Sequence, residues 1–372
     1  MGNSRLFCRF SLMLLLLLTC VSEKSYAAYC NECFSWDCSC GTRDYYTYQN
    51  YSESGDCYES PCENSCFNMF RNLTWKVDGA YLFWRAFEGE TQFVISGVPS
   101  HTDISGGNVG AIGTLESAEF NWASGFRVGG ELGLPEYQLK LVGDFTSITN
   151  AGSDGASVSG SRYLNDIFGD FDGAVATACS SIRLYTRMWN LYFLKDLTCN
   201  CDFSTAFYMG ITGANIHQNW HVLYSGDQFN AYSLDWSYEG VGLRTGLDFA
   251  WNFASRFSIV GNVSGALFCG EYNNKGTMTV LGDLLIESPF YDYRLTQQRI
   301  VPHFQLSLGP EMRVCFFSIE MDVYALWELN VFNNLHYIYK SQSGTPIEPK
   351  DFYSTNSLTG LQGLTLGFRF SF

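Results

Sequence analysis

The densest chemistry in this chain lies near its start, where Cys30, Cys33, Cys38, Cys40, Cys57, Cys62 and Cys66 crowd into one stretch. The Cys30-x-x-Cys33 and Cys38-x-Cys40 pairs would suit zinc, but the stretch holds no His and its other spacings match no zinc finger. All seven are instead disulfide candidates, as clustered cysteines in an exported chain usually are. Seven is odd. One thiol must therefore pair with the rest of the chain, pair with another molecule, or stay free. The histidines (His101, His217, His221, His303 and His336) offer little catalysis. His217 and His221 stand four apart, yet no Glu follows the first His as a zinc-protease helix requires. His303 shares a strand face with Ser307, and no local carboxylate completes a triad. No enzyme activity, catalytic residue, metal or cofactor is expected. What remains is charge. Arg127, Lys140, Arg183, Arg187, Arg244, Arg299 and Arg369 are matched by Glu131, Asp144, Asp202, Asp248, Glu320, Asp322 and Glu328. Opposed charges lining one wet space set up a transverse field that favours small polar solutes.

Those charges sit on segments that alternate with a period of two, the mark of strands with one apolar and one polar face. Val241, Leu243, Thr245, Leu247, Phe249, Trp251 and Phe253 oppose Gly242, Arg244, Gly246, Asp248, Ala250 and Asn252. Phe317 to Val331 and Leu364 to Phe372 repeat the pattern. Further candidates are Trp75–Phe87, Phe126–Leu132, Tyr137–Phe145, Ile182–Leu194, Cys201–Ile211, Phe257–Cys269 and Arg299–Leu308. These make about 10 strands, and weaker stretches at Gln92–Ser96 and Met278–Ile286 would make about 12. The pattern tolerates up to about 16. Leu134-Pro135-Glu136 and Ala254-Ser255 read as short turns, while Asn150–Ala178 and Tyr272–Gln298 read as long polar loops. Short turns on one side and long loops on the other describe an outer-membrane barrel. A soluble sandwich would have shorter strands, with Lys and Glu on the outward faces.

Composition agrees. Aromatics make up 17% and charged residues 16%, with 36 Gly and 8 Pro, and the formal net charge is −15. So acidic a chain is a poor partner for nucleic acid. The one long apolar run, Phe10 to Cys20, is too short to span a bilayer as a helix. It follows Arg5 and Arg9 and precedes Ser25-Tyr26-Ala27, so residues 1–27 read as an export signal cut after Ala27. Lipid attachment at Cys20 is the rival reading, against which Thr19 stands. Residues 28–74 then form a Cys-rich, disulfide-stapled N-terminal segment, and residues 75–372 the barrel. The fold class is all-β: an antiparallel transmembrane β-barrel with a Cys-rich N-terminal extension.

Several segments resemble the family of the Legionella major outer membrane protein, pore-forming proteins with relatives among Chlamydia-like bacteria. They include Val77-Asp78-Gly79-Ala80-Tyr81-Leu82-Phe83-Trp84-Arg85 and Trp122-Ala123-Ser124-Gly125-Phe126-Arg127-Val128-Gly129. Tyr238 to Leu247, Val301 to Gly309 and Gly360 to Phe370 follow in the family's order. The terminal Phe372 resembles the signal read by barrel-assembly machinery. The resemblance implies a multi-pass barrel of the bacterial outer membrane that admits small hydrophilic solutes. Arg127, Glu131, Lys140, Asp144, Arg183, Arg187, Arg244, Asp248, Arg299, Glu320, Asp322, Glu328 and Arg369 would line the pore. Expected partners are outer-membrane lipid, the assembly machinery and disulfide-linked envelope proteins or a second copy. The alternative is a barrel with a plugged lumen that anchors surface loops.

Overall fold

A strand between lipid and lumen needs residues that favour extended backbone and change polarity at every step. This chain supplies such strands almost without interruption. The computed structural model describes residues 74–98, 113–134, 139–158, 163–168, 175–199, 202–226, 229–254, 256–281, 287–316, 319–341 and 352–371. In chain order the strands are β1 (Thr74–Glu88), β2 (Gln92–Val98), β3 (Thr114–Ser117), β4 (Trp122–Leu134), β5 (Leu139–Ser157), β6 (Tyr163–Asp166) and β7 (Val175–Cys199). They continue with β8 (Phe203–Gly226), β9 (Phe229–Ala254), β10 (Phe257–Leu281), β11 (Glu287–Phe316), β12 (Ile319–Ser341) and β13 (Phe352–Ser371).

Ten of these form a closed wall. The order around it is β1-β4-β5-β7-β8-β9-β10-β11-β12-β13, antiparallel throughout. β1 pairs with β13, from Lys76 opposite Ser371 to Glu88 opposite Thr359, and this closes the ring. Closure leaves no unpaired edge, as backbone in hydrocarbon requires. The near end carries the short connections 135–138, 200–202, 255–256 and 317–318. The far end carries 89–121 and 158–174, together with the shorter connections 227–228, 282–286 and 342–351. By the usual asymmetry the near end is periplasmic and the far end faces outside.

The outer face carries an apolar band. On β9 it runs from Val241 to Phe253, about 40 Å of strand or roughly 28 Å of membrane at a tilt near 45°. Trp122, Trp189 and Trp327 rim the band on the far side, and Trp75 and Trp251 on the near side, all exposed. Trp122 stacks on Phe83 at 5.1 Å and meets Trp327 at 6.2 Å. Trp189 lies across Gly213, where an added Cβ would stand 2.2 Å from its ring. Only glycine leaves that belt residue its place.

Beyond the band the wall strands continue outward, and several expectations change. Met278–Ile286 is not a separate strand; its first residues end β10. Gln92–Ser96 forms β2, which pairs with β3 and β6 in the connections and not in the ring. The loops expected at Asn150–Ala178 and Tyr272–Gln298 are largely strand, for β5, β7, β10 and β11 all run into them. Arg85, which spoils the alternation of β1, has left the band: its Nε donates to the Phe120 carbonyl at 2.7 Å and its guanidinium pairs with Glu119. The signal residues, the seven N-terminal cysteines and Phe372 lie outside the described residues.

Candidate functional site

The lumen is where the charged residues were expected, and it divides into two unlike halves. In the near half, β4 presents Arg127 and β12 presents Glu328, which is fully buried. Their contact is a two-pronged fork, with Nη1 and Nη2 donating to the two carboxylate oxygens at 2.8 and 3.0 Å. The Arg127 Nε donates to Thr146 on β5 at 2.9 Å. β4 and β12 are separated in the ring by β1 and β13, so this contact reaches across the interior. Gln305 on β11 donates to Glu328 at 3.2 Å and accepts from Arg244 on β9. Arg244 also donates to Asn190 on β7 at 2.9 Å, and Asn190 donates to Asp144 at 2.8 Å. The chain of contacts therefore runs from wall to wall. Each charge in it has a partner, as charges away from bulk water need.

Below this network is a cavity of about 370 Å³ whose walls reach from Gln305 and Glu328 down to Ser204 and Ala250 beside the periplasmic turns. Asp248 faces it and accepts from Asn262, whose amide also donates to Tyr208 at 2.8 Å. Tyr324 donates to Asp78 at 2.9 Å, and Arg369 stands 3.8 Å from Asp78 and 3.7 Å from Glu311. Glu131 pairs with Lys76 at 3.7 Å and Lys140 with Asp196 at 3.1 Å. At the near rim Arg313 bridges Glu320 at 2.7 Å and Asp322 at 3.2 Å.

In the far half the same wall turns aromatic inside. Trp84, Trp220, Trp236, Tyr232, Tyr238 and Tyr272 are all under 2% exposed. Described residues of the connections pack against them. Phe168 stacks on Tyr232 at 4.1 Å and meets Trp220 edge-on at 5.2 Å. Phe93 and Val94 of β2 are buried, and Tyr224 donates to the Phe93 carbonyl. His336 stacks on Trp236 at 4.9 Å and contacts Glu88, with both side chains fully buried.

Of the residues assigned to the lumen from sequence, Arg127, Glu131, Lys140, Asp144, Arg244, Asp248, Asp322, Glu328 and Arg369 point into the near half. Glu320 points inward at its rim. Arg299 also points inward, but in the aromatic half, where its guanidinium lies 3.6 Å from the Tyr272 ring and donates to the Leu335 carbonyl at 3.1 Å. Arg183 and Arg187 are corrections: both are exposed on the outer face of β7. Asp202 is an exposed turn residue. Sequence reading also missed Asp78, Asn190, Gln305 and Glu311. Gln305 and Asp78 sit in polar phase on strands already recognised, so their parity was an available signal. Glu311 lies past the Arg299–Leu308 stretch that alternation marks, on the part of β11 that runs on to Phe316. His217 and His221 face outward, with His217 3.5 Å from Asp235, while His303 faces inward and packs on Phe332 at 4.4 Å. Among the described residues no three His, Cys, Asp or Glu side chains converge to hold a metal.

Comparison with known families bears directly on this architecture. A family model described as the Legionella pneumophila major outer membrane protein precursor matches residues 70–372. The chain belongs to that family. It is an outer-membrane β-barrel protein, all-β and antiparallel, as its ring and lipid-facing band require. No curated protein matches it. Among solved structures it is similar to the outer membrane protease OMPT of Escherichia coli, with 10% identity, a TM-score of 0.44 and 80% of this chain covering 97% of that one. A major outer membrane protein of Thermus thermophilus is 11% identical at a TM-score of 0.29, over 81% of this chain and 99% of that one. A Pseudomonas aeruginosa FadL homologue is 8% identical at 0.25, over 81% and 90%.

Proposed function

We propose that this member of the family stands closed in the outer membrane, as a non-catalytic surface barrel whose strand extensions and connections face outward. One observation carries the reading. The far half of the lumen is filled by wall-borne Trp and Tyr side chains under 2% exposed. A water-filled channel would leave those rings wet. Ten strands also sit nearer the eight that side chains can fill than the sixteen or more that leave an aqueous bore.

A second reading, a narrow pore for small hydrophilic solutes, has the near-half cavity in its favour. Its paired charges are what a polar passage would show. Conduction would then require the β2, β3 and β6 segments and the rings beneath them to move aside. Swelling of liposomes holding the full chain separates the two. The closed barrel should leave vesicles in isosmotic arabinose unswollen; steady swelling, with the protein shown to be folded, would replace it by the pore.

A further inference from the structure

Arg183 and Arg187 have no place in the lumen, and their surroundings suggest another use. Four neighbouring strands share a register here. Phe145, Trp189, Gly213 and Val241 form one outward rung across β5, β7, β8 and β9, the upper edge of the apolar band. The next outward rung is Ser147, Arg187, Asn215 and Glu239. Two further outward residues along β7 stands Arg183, between Ala151 and Asn219. The chemistry therefore changes from hydrocarbon-like to polar within one rung, with Arg187 in the first polar rung and Arg183 two outward residues further on.

Both side chains are exposed, and among the described residues neither makes an ion pair. Arg183 donates to Tyr185 at 3.2 Å, which holds it along the strand. The nearest outward carboxylates have partners of their own. Glu239 accepts from Asn215 at 2.7 Å, and Asp235 lies 3.5 Å from His217. The sign matters because the chain as a whole is strongly acidic, at −15. Two unpaired guanidiniums at the boundary of an anionic leaflet are placed to meet phosphate, which their planar forks grip well.

We propose that Arg183 and Arg187 form a docking site on the outer wall for the phosphate groups of an outer-leaflet lipid, whose acyl chains lie against Trp189, Leu191 and Phe193. The proposal rests on the membrane placement of the wall and is independent of whether the lumen conducts. Native mass spectrometry of the full chain with added diphosphoryl lipid A tests it. The wild type should retain this lipid roughly tenfold more than the Arg183→Gln/Arg187→Gln variant. The corresponding Arg→Lys double variant and Lys195→Gln, changed on the outer face at the periplasmic end of β7, should both retain it. Excess inorganic phosphate should not displace it, and dephosphorylated lipid A should bind wild type and glutamine variant alike. Equal retention of the diphosphoryl form by wild type and glutamine variant would overturn the site. Displacement by inorganic phosphate would overturn the lipid assignment in favour of a free anion.

Discussion

Arg127 and Trp84 meet at 5.5 Å across the boundary between the two halves of the lumen. On one side the interior is held by charges that satisfy one another. On the other it is held by rings that exclude water. Both halves are built on the same strands at the same parity, so the difference lies in side-chain chemistry alone. The aromatic half gains from apolar area, which is non-directional and tolerates independent losses. The polar half gains only while every partner is present, because a guanidinium or carboxylate left alone there keeps the cost of leaving water. A single interior can therefore fail in two ways.

The largest expected effects probe that contrast. Glu328→Leu strands Arg127 and should cost about 3–5 kcal/mol in urea unfolding from lipid vesicles. Adding Arg127→Met should return most of the loss; two losses that simply add would mean the fork is not a unit. Trp236→Ala should cost about 3–5 kcal/mol through the space it empties. Combined with Glu328→Leu, it should add within about half a kcal/mol, since the two belong to separate groups of contacts. Strong coupling would show that the halves are one network. Leu247→Arg tests the outer face and should cost about 2–4 kcal/mol if the residue lies near mid-membrane, whereas tolerance would move the band. The smallest effect is at the near rim. Lys140 and Asp196 keep 20% and 46% exposure, so Lys140→Gln should cost no more than about 1 kcal/mol.

Much of the wall was legible in the sequence. The ten stretches singled out by alternation each fall within or across one ring strand, because within the membrane the lipid face has to be apolar along its whole length. β7 shows where that logic stops. Trp189, Leu191 and Phe193 point out to lipid, but Ile182, Leu184 and Met188 point in. The apolar parity switches at the membrane edge, since outside it water is on the outer face and the packed rings are within. Period two reports that two faces differ; it does not say which faces lipid. For that reason alternation alone puts Arg183 and Arg187 in the lumen, although both are exposed on the outer face. The same inversion on β9 puts Tyr232, Leu234, Trp236 and Tyr238 inside, opposite Ser233, Asp235 and Ser237. Pairing across the lumen was not legible at all. Arg127 and Glu328 are 201 positions apart and meet only because the ring closes.

Single-channel recording tests the central claim most directly. The full chain, folded in a planar bilayer bathed in concentrated potassium chloride, should leave the membrane silent at moderate voltage, because the rings of the far half leave no continuous water path. Regular, discrete conductance steps from the unmodified protein would contradict a closed lumen and make the polar cavity part of a standing pore.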